Sequence, residues 1–202
     1  MIGPGFQMNE KTYAGMTFVE AKDKPHLGGN IKEGDPYTYC PLVWNYVIDR
    51  FCIKSVLDLG SGIGNAANYF FGKGLKTIAV EGLLENVKSA FYPTLCHDLS
   101  KGPVVTEVDL VYCHEVAEHI AEEHLDNLIG SLACGRLILM THALPGQDGH
   151  HHVNLKPMDY WVEHVGARGY NLLHEDTNRI RLLAAGERAV YMHNSGLLFH
   201  RR

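Results

Sequence analysis

The sequence predicts an α/β protein whose mostly parallel sheet is covered by helices on both faces. Three observations carry that prediction. From Ser55 onward, short apolar runs alternate with segments of helical periodicity, and strands alternating with helices build a parallel sheet. The runs SVLDLG, KTIAVEG and VDLVYC are short, apolar and bounded by turn or polar residues, as strands buried on both faces are. The chain has 202 residues, 46% of them hydrophobic, which is enough to bury a sizeable core without staples.

Each element follows in order. Residues 1–40 are rich in Gly, Pro and polar residues, and His26 to Pro41 carries several turn signals. Leu42, Val43, Tyr46, Val47 and Phe51 then make the apolar stripe of a helix. SVLDLG (55–60) is the first strand, and GNAANYFFGKG a helix closed by Gly72 or Gly74. KTIAVEG is the second strand, LLENVKSA a helix, YPTLCHD a weaker third strand and VDLVYC the fourth. EVAEHIAEEHLDNLIGSLA reads as one amphipathic helix and GRLILMT as the fifth strand. After a polar Gly/His loop come a helix over PMDYWVEHVGARG, ending at Gly169, and a strand near YNLLHE. A short helical piece around NRIRLLAAG and a last strand, YMHNSGLLFHR, complete seven strands. The expected organisation is a single domain over 1–202, with 1–52 as a cap and 53–202 as the core.

Composition narrows the function classes. Eighteen basic against 23 acidic residues give a net charge of -5, which argues against holding nucleic acid by phosphate neutralisation. The five cysteines are odd in number and form no C-x-x-C pair, so reduced thiols are expected. No apolar stretch approaches the roughly 20 residues of a membrane span, and the N-terminus lacks the pattern of a signal peptide. The expectation is a cytoplasmic protein, with no membrane partner, that is a monomer or homodimer.

In such a sheet, ligands bind outside the carboxyl ends of the strands. The first strand ends in D-L-G-S-G-I-G (58–64), whose glycines allow a tight turn and a close backbone approach to a ligand. The second strand ends in Glu81, an acid placed to accept ribose hydroxyls. The third ends in Asp98, a carboxylate able to accept an exocyclic amine.

This series, Asp58-Leu-Gly-Ser-Gly-Ile-Gly, Glu81, Asp98-Leu99 and the fourth-strand run DLVYCHEVAEHI, resembles the successive motifs of class I S-adenosylmethionine-dependent methyltransferases over about residues 53–200. The resemblance implies a Rossmann-like three-layer sandwich, with a seven-stranded, mostly parallel sheet and one antiparallel C-terminal strand. It implies S-adenosylmethionine as cofactor and S-adenosylhomocysteine as product. Gly60, Ser61, Gly62, Gly64 and Asn65 would lie along the methionine part, with Asp58 ordering the loop or meeting the amino group. Glu81 with Gly82 would bind ribose, and Asp98 with Leu99 adenine. His114 and Glu115 would face cofactor and substrate, while Gly28, Gly29, Asn30, Tyr37 and Tyr39 of the N-terminal segment would cover the pocket. A nicotinamide-dinucleotide enzyme is the competing reading. G-x-G-x-G in place of G-x-G-x-x-G, and Asp58 two residues before the first glycine, argue against it. A non-catalytic S-adenosylmethionine-binding partner protein is a further alternative.

Thirteen histidines are many for this length, and they cluster after the fourth and fifth strands. Methyl transfer needs a nucleophile held in line and, for a hydroxyl or ammonium acceptor, a base, for which histidine is suited. His114, Glu115, His150, His151 and His152 are therefore the candidate catalytic residues, and the loop from His142 to Asn154 is expected to wall the acceptor pocket. The acceptor expected is a small molecule or an exposed sugar or peptide group, methylated at oxygen or nitrogen. Glu115, Glu118 and His119, in an E-x-x-E-H run that one helical turn would gather on a common face, offer another reading. With a histidine from the 150–152 loop the run is similar to the two-carboxylate, two-imidazole metal site of small-RNA 2′-O-methyltransferases, which would make this a metal-assisted RNA enzyme. No metal is assigned on the sequence.

Overall fold

The computed structural model describes residues 19, 21, 23–29 and 31–202. Asn30, expected at the pocket, lies outside the described residues. The strands are β1 (Ser55–Leu59), β2 (Lys76–Glu81), β3 (Thr94–Cys96), β4 (Val108–Cys113), β5 (Gly135–Met140), β6 (Tyr170–Leu172) and β7 (Leu197–Arg201). The helices are α1 (Pro41–Phe51), α2 (Asn65–Gly72), α3 (Leu84–Ser89), α4 (Leu125–Leu132), α5 (Met158–Ala167), α6 (His174–Ala185) and α7 (Val190–Ser195). Among the described residues the strands form one seven-stranded sheet in the order β3-β2-β1-β4-β5-β7-β6. β7 runs antiparallel to both of its neighbours and every other pairing is parallel, as expected.

The alternation of side chains along each strand builds two cores. Leu57 and Leu59 of β1, Val111 of β4, Ile138 of β5 and Phe199 of β7 point to the face covered by Leu128 and Leu132 of α4 and Trp161 and Val165 of α5. Their sequence neighbours Val56, Leu110, Leu137 and Leu198 point the other way. There they meet Val43, Trp44 and Val47 of α1, Phe70 of α2 and Ile180 of α6. Thus α1, inside the segment expected as a cap, packs on the sheet. All five cysteines are free, Cys40, Cys113 and Cys134 buried and Cys52 and Cys96 exposed. No helix among the described residues is long and apolar enough to cross a membrane.

Chain order reverses at β1, which pairs with β2 on one side and β4 on the other. That reversal opens a crevice at the carboxyl ends of β1 and β4, where ligands bind in open α/β sheets.

Two segments differ from the sequence expectation. The run from Glu115 is not one helix: 3₁₀ turns at Ala117–His119 and Glu122–His124 precede α4. Glu115 has φ 55° and gives its N–H to Thr141 Oγ1 at 2.8 Å. The Glu118 carbonyl accepts Val153 N–H at 2.9 Å and Asn154 N–H at 3.1 Å. The loop after β5 thus takes the carbonyl that a helix would have used. The second difference is α7, which occupies the first half of the expected last strand. Ser195 Oγ donates to the Tyr191 carbonyl at 3.2 Å, one turn back, and Gly196 ends the helix before β7 begins.

Candidate functional site

A cavity of about 690 Å³ lies at the switch point, within the size range of sites for small molecules and cofactors. Its floor is the loop after β1. Gly60 has φ 76°, and a Cβ there would come within 2.2 Å of Val116 Cγ2, so only glycine fits against the end of β4. The Gly60 and Ser61 N–H groups donate to the Val80 carbonyl at 2.9 and 3.0 Å, fixing the turn beside β2. Gly64 is the N-cap of α2.

Asp58, expected to order this loop, is buried and accepts the Ala67 backbone N–H of α2. Burial pushes its carboxyl up to about 7, with the Glu81 charge adding to the rise. Glu81 closes the loop from the other side, its two oxygens accepting the Gly62 and Leu83 N–H groups, each at 2.8 Å. Burial raises its carboxyl despite these bonds. The Asn86 side chain and the Gly82 N–H donate to it as well. Ser61, Gly62, Asn65 and Gly82 line the cavity with them.

Asp98 is the N-cap of a 3₁₀ turn and accepts Ser100 N–H at 2.9 Å. His26 Nε2 lies 3.2 Å from it and Lys24 Nζ 3.9 Å. Burial alone would raise this carboxyl, but Ser100 and His26 hold it below the usual range. Its neighbours His97 and Leu99 line the cavity, and Asp98 stands just behind them. The N-terminal segment closes the end beside His97: His26, Leu27, Gly28 and Gly29 are lining residues, as is Tyr39, but not Tyr37.

His114 and Glu115 stand at the carboxyl end of β4 and both line the cavity. His114 Nδ1 is hydrogen-bonded to the Tyr112 hydroxyl. Its Nε2 is buried without a partner, and burial pushes the imidazole down to about 3, so it is neutral. Burial first, and then the Glu118 charge, raise the Glu115 carboxyl far above the carboxylate range. Glu115 Oε1 accepts the Thr141 hydroxyl at 2.9 Å.

The loop after β5 forms the facing wall through Gln147, Asp148, Gly149, His150 and His152. The three consecutive histidines are placed differently. His150 is exposed at its outer edge, with Nε2 3.1 Å from the Pro25 carbonyl. His151 has φ 49°, turns its ring toward His26 at 6.5 Å and does not line the cavity. His152 donates or accepts at Nδ1 against the Gln147 carbonyl at 3.3 Å and sets its ring edge-on to His119 at 5.2 Å.

Asp35 and Tyr191 are lining residues that sequence reasoning missed. Tyr191 donates its hydroxyl to Asp35 Oδ2 at 3.2 Å, and Asp35 Oδ1 accepts Tyr37 N–H at 2.8 Å. Asp35 stands in a Gly-Asp-Pro turn, a legible signal, whereas Tyr191 was hidden by reading α7 as strand. Arg181 donates Nε–H to the Gly196 carbonyl at 2.8 Å, and neither it nor Arg179 reaches the cavity.

Charge distinguishes the cavity. Asp35, Asp58, Glu81, Glu115 and Asp148 line it, and no Lys or Arg does among the described residues. Asp58 Oδ2 and Ser61 Oγ are buried with no hydrogen-bond partner. Such a surface suits a ligand that carries positive charge and several hydrogen-bonding groups.

No protein-family model matches the sequence, and no curated protein does. Solved structures match in fold. The magnesium protoporphyrin IX methyltransferase ChlM of Synechocystis PCC 6803, with bound S-adenosylmethionine, superposes with TM-score 0.57 at 14% identity, over 80% of this chain and 76% of that one. A TehB-like S-adenosylmethionine-dependent methyltransferase from Corynebacterium glutamicum matches with TM-score 0.52 at 17% identity, over 74% and 80% of the two chains. The [4+2]-cyclase SpnF matches with TM-score 0.53 at 13% identity, over 92% and 87%. At these identities, what the chain shares with them is the Rossmann-like methyltransferase fold.

Proposed function

We propose that the protein is an S-adenosylmethionine-dependent methyltransferase acting on a small molecule or an exposed sugar or peptide group. The observation that carries this reading is the acid-lined cavity on the glycine loop at the sheet's switch point. The cofactor, when bound, supplies an electrophilic methyl group on a sulfonium. A sulfonium and an ammonium are cations, and a lining with acids and no Lys or Arg is a fitting surface for them. The pyrophosphate of a dinucleotide and the backbone of RNA are anions, and the lining offers them no Lys or Arg. The unpartnered Asp58 Oδ2 and Ser61 Oγ fit a methionine end with its own donors and acceptors.

In this reading the Gly60–Gly62 backbone and Ser61 cradle the methionine part, with Asp58 behind them. Glu81 accepts the ribose hydroxyls in exchange for part of the Asn86 and Gly82 hydrogen bonds it holds now. His97 and Leu99 flank the adenine, and Asp98 takes its amine in exchange for His26. On the acceptor side, His114 stays neutral across the working pH range and offers a hydrogen bond from Nε2, which orients the nucleophile in line with the methyl group. Neutral Glu115 braces that wall through Thr141, and Gln147 to His152 close it against water.

Incubation with S-adenosylmethionine labelled in the methyl group, against panels of small hydroxyl and amine compounds, sugars, peptides and RNA, tests the proposal. Label should pass to a compound of the small, sugar or peptide panels and not to RNA. Transfer to RNA alone would overturn the acceptor class, and tight cofactor binding with no transfer to any panel would favour a non-catalytic binder.

A further inference from the structure

The turn that carries Asp35 is fastened at three points. Thr38 donates its N–H and its hydroxyl to the Asp35 carbonyl, at 3.1 and 2.8 Å. A Cβ on Gly34, whose φ is 90°, would run into Asn65 Nδ2, so the turn is seated against the start of α2. The third fastening is a pair of tyrosines packed on His114. Tyr112 and Tyr191 set their rings edge-on to the imidazole, with centroids 5.6 and 6.2 Å away. The Tyr112 hydroxyl lies 3.5 Å from the Thr38 carbonyl, and the Tyr191 hydroxyl 3.2 Å from Asp35 Oδ2. Asp35 is thereby held at the His114 end of the cavity.

The Asp35 carboxylate has hydrogen bonds there but no counter-charge. Its partners are the Tyr37 N–H and the Tyr191 hydroxyl, both neutral. Among the described residues no Lys, Arg or His forms an ion pair with it. Arg188 stands over the Tyr37 ring at 6.0 Å and does not line the cavity. Burial raises the Asp35 carboxyl against its two bonds, and a cation beside it would favour the charged form. Aromatic rings complete this end. Tyr39 is edge-on to Trp44 at 5.1 Å, and Trp44 to Tyr112 at 5.8 Å, so lining rings run from the cavity mouth to His114. Tyr39 is 45% exposed, which leaves much of its ring uncovered. A second polar group also awaits a ligand. His114 is only 8% exposed, and its Nε2 has no partner although the residue lines the cavity. Such a group is costly to leave unmet.

We propose that Asp35, with the rings of Tyr39 and Tyr191, forms an acceptor subsite for a small organic ammonium. Asp35 pairs with the cationic nitrogen, the rings cover its carbon-bound flank, and His114 Nε2 meets the atom that takes the methyl group. A carboxylate beside aromatic rings is the surface that attracts an ammonium, by charge and by the ring quadrupole together. An anion of the same shape would meet Asp35 and no Lys or Arg. The role of acceptor rests on the methyl-transfer reading above, whereas the binding of a cation does not.

The test holds shape constant and varies charge. The full chain is titrated calorimetrically with benzylammonium, benzyl alcohol and benzoate, alone and with saturating S-adenosylhomocysteine. Benzylammonium should bind at least about tenfold more tightly than the other two, with or without S-adenosylhomocysteine. Asp35→Asn, which keeps an oxygen for the Tyr37 N–H, should remove that preference, and Glu163→Gln, exposed on α5, should retain it. If Asp35→Asn fails to fold, Tyr39→Leu at the exposed ring decides, and should weaken benzylammonium about threefold more than benzyl alcohol. Equal affinity of the three compounds for the wild type, a preference that survives Asp35→Asn, or an equal loss in Tyr39→Leu overturns the subsite. Displacement of benzylammonium by S-adenosylhomocysteine would give the cation the cofactor's place and overturn the acceptor role. If S-adenosylhomocysteine does not bind, the methyl-transfer reading falls, and the Asp35 dependence of benzylammonium still decides the cation site.

Discussion

Glu81 serves two structures with one carboxylate. It holds the glycine loop through Gly62 and the start of α3 through Leu83, and in our reading the ribose hydroxyls replace its bonds to Asn86 and Gly82. Glu81→Ala should therefore weaken S-adenosylhomocysteine binding by about 1–3 kcal/mol, since two hydroxyls lose a partner in a partly buried site. Calorimetry of the variant checks this, and unchanged affinity would remove the ribose assignment. The three consecutive histidines divide by position. His150 sits at the rim, His151 outside the cavity and His152 in its wall beside His119. Of the three alanine variants, His152→Ala should lose about a hundredfold or more in turnover, with cofactor affinity nearly unchanged. Equal activity of all three would leave the loop a structural wall.

At the scale of elements, the loop after β1 and the turn after β4 are fitted to each other at one point. Gly60→Ala puts a side chain at φ 76° and drives its Cβ to 2.2 Å from Val116 Cγ2. The backbone term costs about 1–2 kcal/mol, and the overlap adds about 1–3 kcal/mol. In urea unfolding, the double variant with Val116→Ala should recover the overlap and leave the backbone term. A coupling energy near zero between the two positions would show that the loop moves away freely. Legibility followed the same line. β1, β2, β4 and β5 were readable because buried parallel strands are continuous apolar runs, and their ends carried Asp58, Glu81 and His114 into the cavity. The 115–124 segment was misread because its helix-like periodicity competes with tertiary partners that no local pattern contains. Thr141 and the amides of Val153 and Asn154 claim its backbone. α7 was misread because Val190 and Tyr191 favour strand, while packing of α7 on α6 decides for helix. That error concealed Tyr191, and with it the Asp35–Tyr191 corner of the cavity.

The whole molecule buries groups that are ordinarily charged, and its stability must follow pH accordingly. His142 packs near Trp161, with ring centroids 5.9 Å apart, and burial pushes its imidazole down to about 4. Unfolded, it titrates near 6.5. Between those values the unfolded chain binds a proton that the folded chain refuses. Stability therefore rises with pH there by up to about 1.4 kcal/mol per pH unit from this group, and is lost as pH falls. Urea unfolding of wild type and His142→Asn across that interval should show the variant's slope smaller by up to one proton, and equal slopes would mean the imidazole is solvated. Asp58 acts in the opposite sense, which is why the difference between variants is informative and the total slope is not. At this scale the cavity lining also bears on the ligand: in our reading its acids meet a sulfonium, and it offers a pyrophosphate no Lys or Arg. The most direct measurement is calorimetric titration of the wild-type chain with S-adenosylhomocysteine and, separately, with NAD⁺. One equivalent of S-adenosylhomocysteine should bind with saturable heat, and NAD⁺ should not bind. Saturable binding of NAD⁺ with none of S-adenosylhomocysteine would contradict the cofactor assignment.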